Sequence, residues 1–108
     1  MDEELFRMLL FSEQDGTAVE EFIKLGYLIR SNDAVFRTSK LDKELREFID
    51  AKKESLYEAV KEYGSARDIK KTMEKAGIRE FITFSVAADE LVQEGKLIKD
   101  KENICIAR

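Results

Sequence analysis

The stretch from Ile78 to Arg108, IREFITFSVAADELVQEGKLIKDKENICIAR, constrains this chain more than any other. Its apolar residues recur at helical spacing from Phe81 to Leu91, and the pattern stops at Gly95. A glycine just past the last periodic residue marks a helix end. The backbone there turns left-handed, and glycine does so without a steric penalty. Two short β-like runs follow at once, Lys96–Lys99 and Asn103–Ile106, joined by Asp100, Lys101 and Glu102. A helix that passes through a glycine into a hairpin is therefore expected here.

The same phrase occurs earlier. Glu20-Glu-Phe-Ile-Lys-Leu-Gly26-Tyr-Leu-Ile-Arg30 matches Asp89-Glu-Leu-Val-Gln-Glu-Gly95-Lys-Leu-Ile-Lys99 in its order of acidic, apolar, glycine and Leu-Ile-basic positions. Both continue into a polar turn and an apolar strand pattern. Two hairpin-bearing units are expected.

Around these units the periodicity is helical. Glu3 to Phe11 reads as a short helix with Leu5, Phe6, Leu9 and Leu10 on one face, broken by Ser12–Gly16. Thr17-Ala-Val-Glu20 has the form of a capping box, in which hydroxyl and carboxylate satisfy each other's backbone amides. The helix behind it buries Val19, Phe22 and Ile23 and stops at Gly26. Tyr27–Arg30 and Ala34–Arg37 then form a first hairpin around Ser31-Asn32-Asp33.

Ser39, with Asp42 at the third helical position, opens the longest element, which runs to about Tyr63. Its apolar residues are Leu41, Leu45, Phe48, Ile49, Leu56, Ala59, Val60 and Tyr63, and Lys52 and Lys53 interrupt them, leaving room for a kink or break. Gly64 ends it. Ser65-Ala-Arg-Asp68 starts another helix, with Ile69, Met73 and Ala76 inward and Lys70, Lys71, Glu74 and Lys75 outward, stopped by Gly77. There is no proline and no low-complexity linker. The expectation is one compact domain, 1–108, made of a helix–hairpin unit (1–38), a central helix (39–64) and a C-terminal unit (56–108) that shares the end of that helix.

Composition excludes several chemistries. Hydrophobic residues make up 44% of the chain and charged residues 39%, enough for a core and a well-solvated surface. No apolar run approaches the roughly 18 residues of a membrane span. The acidic start, Met1-Asp-Glu-Glu, is unlike a basic secretory leader. With no histidine and one cysteine, Cys105, neither a common zinc set nor a Ser-His or Cys-His nucleophile pair can be assembled. Cys105 lies in an apolar strand pattern and is expected to pack in the core, in a reducing, cytoplasmic setting. The five glycines stand apart, so no phosphate-binding loop is formed. The adjacent acids Glu20-Glu21 and Asp89-Glu90 point in different directions on a helix and do not make a catalytic pair. No enzyme and no cofactor is expected.

Residues 56–108 resemble the winged helix-turn-helix superfamily. Leu56–Tyr63 is similar to its first helix, Ser65–Ala76 to its second, and Thr83-Phe-Ser-Val-Ala-Ala-Asp-Glu-Leu-Val-Gln-Glu-Gly95-Lys-Leu-Ile98 to its third helix running into the wing. Phe84, Ala88, Leu91, Leu97 and Ile98 match its buried positions. Residues 1–38 resemble a shortened version of the same unit. The expected fold is therefore α+β and mostly helical: a winged helix, a long central helix and an extra N-terminal helix–hairpin unit.

The resemblance implies DNA binding and transcription regulation, with exposed side chains of the third helix reading bases. Those positions are Arg79, Glu80, Thr83, Ser85, Val86, Asp89 and Gln93. From Ile82 to Glu94 there is no Lys or Arg, against the acids Asp89, Glu90 and Glu94. Phosphate neutralisation supplies much of DNA affinity, so standard major-groove reading is not expected. Cations stand nearby instead: Lys70, Lys71 and Lys75 on the second helix, Arg79 at the turn, and Lys96, Lys99 and Lys101 on the wing. With Thr83 and Ser85 they form the candidate DNA-binding set. The net charge of −4 is uneven: residues 1–60 hold 9 Lys/Arg against 14 Asp/Glu, and residues 61–108 hold 10 against 9. The alternative is a winged helix that docks a protein partner rather than DNA. Arg30 and Arg37 read as ordinary strand-surface charges and Tyr27 as a packing residue. Phe81 and Phe84 cannot easily both face one core if Ile82 and Val86 also do, so one of these residues is expected at the surface. A homodimer through the central or N-terminal helix is expected from the long apolar stripe, and no membrane contact is expected.

Overall fold

The structure, a computed structural model, describes residues 1–11, 17–102 and 104–107, with Thr17 and Ala18 described in their backbone alone. It is α+β and mostly helical, with two two-stranded antiparallel sheets. The elements are α1 (Glu3–Leu10), α2 (Thr17–Lys24), β1 (Leu28–Ser31), β2 (Ala34–Arg37), α3 (Ser39–Tyr63), α4 (Ile69–Ala76), α5 (Phe81–Gln93), β3 (Leu97–Lys99) and β4 (Cys105–Ala107). The expected break at Ser12–Gly16, the Thr17 hydroxyl cap and the placement of Asn103 in a strand fall outside the described residues.

The chain divides into two compact units, Met1–Phe48 and Ile49–Arg108. The sequence led to the expectation of one compact domain with a first unit ending at residue 38. The start of α3 belongs to the first unit because Leu41 joins Phe22 and Tyr27 in its core, and the Phe48 ring meets Phe6 at 5.0 Å.

In the first unit, the Asp2 carboxylate accepts from the Leu5 amide at 2.8 Å and caps α1. Met1, Leu5, Met8, Leu9, Leu25 and Leu28 pack around the buried cluster. Leu10, expected on the apolar face, is exposed. At the end of α2 the Tyr27 amide donates to the Phe22 carbonyl at 2.9 Å and the Gly26 amide to the Ile23 carbonyl at 3.1 Å. This paired closure needs a left-handed residue, and Gly26 has φ 81°.

The first hairpin pairs Leu28 with Arg37 and Ser31 with Ala34. Ser31 is therefore in the strand, and the turn is Asn32-Asp33 alone. Their φ angles, 50° and 67°, are both positive, the turn geometry whose twist suits a hairpin. Thr38 closes it: its hydroxyl donates to the Gly26 carbonyl at 2.7 Å and accepts from the Leu41 amide at 3.3 Å. The cap of α3 is thus Thr38 and not Ser39. A residue held by the hairpin can also start the helix, which Ser39, already helical, cannot.

In the second unit α3 continues to Tyr63 without a break. Lys52 and Lys53 interrupt the apolar stripe because both are spent on packed neighbours: Lys52 Nζ donates to the Gly77 carbonyl at 3.0 Å, and Lys53 reaches the carboxylates of α5. Long lysine stems lie on apolar surface while their ammonium groups reach polar partners. Leu56, Ala59 and Val60 are buried against Ile78, Phe84, Leu91 and Leu97. Tyr63, expected in the stripe, is exposed. Leu41, Phe48, Ile49, Leu56, Ala59 and Val60 of the stripe are buried within the chain.

The next helix starts at Ile69, not at Ser65. Ser65 bridges Ile106 in antiparallel fashion, and the Ala66 amide donates to the Cys105 carbonyl at 2.8 Å. These residues extend along the second hairpin, so Asp68 becomes the cap, accepting from the Lys71 amide at 3.1 Å. Ile69, expected inward, is then 41% exposed, and Thr72 takes the inner position at 0%. The Thr72 hydroxyl donates to the Asp68 carbonyl at 2.8 Å.

The end of α5 repeats the end of α2. The Lys96 amide donates to the Leu91 carbonyl at 2.9 Å and the Gly95 amide to the Val92 carbonyl at 3.0 Å. In the hairpin that follows, Leu97 pairs with Ala107, and Ile98 with Ile106. Leu97 is fully buried, so by strand alternation Ile98 points outward. It is 42% exposed, against the expectation of burial. Asp100 closes the loop, its carboxylate accepting from the Glu102 and Ile104 amides at 2.8 and 2.9 Å. The Ile104 amide above all holds the Asp100 carboxyl below the usual carboxylate range, against a weaker upward pull from desolvation.

Candidate functional site

The candidate cations gather on two elements of the second unit. Because α4 turns Thr72 and Ala76 inward, helical spacing leaves Lys70, Lys71, Glu74 and Lys75 exposed. Lys75 Nζ lies 3.1 Å from a Glu62 carboxylate oxygen, so its charge is matched locally. On the hairpin, Lys99 Nζ is 3.6 Å from Asp89. Lys96 and Lys101 are exposed. Lys70, Lys71, Lys96 and Lys101 form no ion pair among the described residues. Arg79 is exposed and engaged by another group.

Two candidates on α5 fare differently. Ser85 is half-buried. Thr83 is 2% exposed and is removed from the set. The helix turns Thr83, Phe84, Ala87, Ala88 and Leu91 to the core, and the Thr83 hydroxyl is buried without a hydrogen-bond partner.

The acids of α5 have a structural partner. Lys53 Nζ donates to Glu94 at 2.9 Å and to Glu90 at 3.4 Å, with its side chain 12% exposed. Burial pulls the Lys53 pKa down, but the carboxylates of Glu94 and Glu90 outweigh it and the net shift is upward. Two of the three acids that argue against groove binding are thus tied to α3, while Asp89 is exposed beside Lys99. The signal was present in the sequence as the two lysines that break the stripe.

Three further features lay outside the sequence reading or only partly within it. Arg67 pairs with Glu102 at 2.9 Å, tying the segment before α4 to the hairpin loop. An open cleft of about 790 Å³ runs along α4, lined by Ile69, Lys70, Met73, Glu74, Gly77, Ile78 and Arg79. Its apolar wall depends on Ile69 being outside the core. Phe81 is the exposed aromatic, 60% accessible, stacked on Phe84 with centroids 5.7 Å apart.

In the first unit, Arg30 pairs with Glu20, and Arg37 with Asp42 at 3.2 Å. Tyr27 is buried against Phe22. Burial pushes the Cys105 thiol pKa up, which suits packing and not nucleophilic chemistry. No group of side chains among the described residues is arranged to hold a metal ion. No described helix is long and apolar enough to cross a membrane. No protein-family model, curated protein or solved structure matches the chain.

Proposed function

We propose that this protein is a winged-helix DNA-binding regulator of transcription that grips the phosphate backbone with α4 and the second hairpin. The observation that carries this is the set Lys70, Lys71, Lys96 and Lys101, exposed and without ion pairs among the described residues, on the elements before and after α5. The element order supports it: the end of α3, the extended Ser65 that bridges Ile106, α4, α5 and the hairpin follow the winged-helix succession. Base reading by α5 is minor, because its exposed face bears Asp89 and no cation.

Four phosphate contacts set a measurable expectation. The logarithm of the association constant should fall with the logarithm of salt with a slope of about 3 to 4. Fluorescence anisotropy on a generic duplex, at low and then moderate salt, reads that slope. Replacing Lys70 and Lys71 together by Glu should remove about half of it, and so should replacing Lys96 and Lys101. Absence of binding at low salt, where electrostatic attraction is strongest, would end this reading.

The cleft along α4 favours a second reading, a protein-interaction module. Ile69, Met73 and Ile78 with Lys70 and Arg79 at the edge suit an amphipathic partner helix with acidic flanks. Ile69→Asp should abolish such docking and leave the salt slope on DNA within one unit of the wild type.

A further inference from the structure

Phe81 opens α5 and is the most exposed large apolar residue among the described residues, at 60%. It is not a loose side chain. The ring lies at 28° to that of Phe84, and Phe84 is 7% exposed in the core. The core-facing positions of α5 are already filled by Thr83, Phe84, Ala87, Ala88 and Leu91. Phe81 therefore has no packing role that its exposure would serve, while Phe84 holds it in place. A ring held in this way loses little freedom on meeting a second flat surface.

Charge selects what that surface is. The exposed face of α5 carries Asp89 and no cation to hold a phosphate, so its first turn, which bears no acid, is the part best suited to approach a nucleic acid. An aromatic ring offers a phosphate neither charge nor hydrogen bond, but it can stack on a neutral, flat base. In a closed duplex the bases are already stacked on one another, and extracting one is costly. An unpaired base offers its face freely, and stacking on an aromatic ring does not depend on which base it is.

We propose that Phe81 is a stacking platform for an unpaired nucleobase, so that the preferred ligand is DNA with a single-stranded segment, such as an overhang or fork. Lys70, Lys71, Lys96 and Lys101 hold the neighbouring phosphates. The inference rests on the nucleic-acid reading above and narrows its ligand class.

The chain has no tryptophan, so Phe81→Trp in the full chain places a single reporter at the platform. The variant is titrated with a short oligothymidine, a blunt duplex, and the same duplex carrying a thymidine overhang. Emission should be quenched by the oligothymidine and the overhang duplex and little changed by the blunt duplex. Wild-type affinity for the overhang duplex should exceed that for the blunt one by about tenfold. Phe81→Ala should bring the two within about twofold, with blunt-duplex binding and the circular-dichroism melt unchanged. Equal wild-type affinities, or saturable binding without quenching, would overturn the stacking role while leaving phosphate binding intact. Failure to bind any of the three would overturn both readings. A concentration-dependent dimer mass that Phe81→Ala abolishes would assign the ring to a second copy of the chain and overturn the proposal.

Discussion

The two hairpins begin from nearly the same sequence and end in different environments. In both, a helix closes through a glycine at positive φ, 81° at Gly26 and 77° at Gly95, with the same pair of amide-to-carbonyl bonds. Beyond that point they diverge. Tyr27 is buried, and its counterpart Lys96 is exposed. Leu28 is half-buried where Leu97 is fully buried. On the first hairpin Ile29 and Phe36 pair across the strands and are each 55% exposed. On the second, Cys105 enters the core, and Ser65 adds a bridge to Ile106. Local sequence can set a turn, but whether the strands beyond it carry a core depends on what is packed beneath. The second hairpin is built into its unit, while the first is held chiefly at its base, through Tyr27 and Thr38.

Three substitutions would break or sharpen that contrast, taken from the largest expected effect down. Leu97→Ala should cost about 3 kcal/mol, the usual range for a fully buried leucine, and Leu28→Ala about 1 kcal/mol. Urea denaturation of both variants measures the difference. Equal costs would mean that the first hairpin is as load-sharing as the second.

Lys53→Met tests whether the second unit also depends on its ammonium–carboxylate cluster. Removing one partner of a nearly buried ionic group leaves Glu90 and Glu94 without their cation and should cost about 2 kcal/mol. The pH dependence follows from the upward shift of the Lys53 pKa. The stabilisation is complete below its ordinary value of 10.5 and is lost as pH rises through the raised, folded-state value. Urea midpoints taken through the alkaline range should fall less steeply in Lys53→Met than in the wild type.

Asp33→Gly is the smallest of the three. A glycine at the second left-handed position of the Asn32-Asp33 turn should stabilise the first hairpin by about 0.5 kcal/mol. A rise in urea midpoint of that size, with no change in the second unit's behaviour, would show that the first hairpin is limited by its turn and not by its packing.

Much of the candidate site was legible in the residues. Helical spacing placed Lys70, Lys71 and Lys75 outside, and the competition of Phe81, Ile82, Phe84 and Val86 for one core announced an exposed residue without saying which. Thr83 was expected among the exposed side chains of the third helix. The helix starts at Phe81, and its core face runs through Thr83. Ile69 was misplaced for a related reason. Once Ser65 and Ala66 are drawn onto the hairpin, the helix starts later, and Thr72 rather than Ile69 meets the core.

By itself the sequence determined the helix ends at Gly26, Gly77 and Gly95, the approximate ends of α3 and the existence of two hairpins. These depend on φ preferences and on periodicity within a few residues, which no distant contact has to supply. Only the tertiary structure decided that Ser65 would bridge Ile106, that Lys53 would hold Glu90 and Glu94, that Leu97 would be buried while Ile98 faces solvent, and which lysines would form no ion pair among the described residues. Each of these joins residues far apart in the chain or selects one face of a strand, and the energy that selects them is the burial and pairing available once the units have packed.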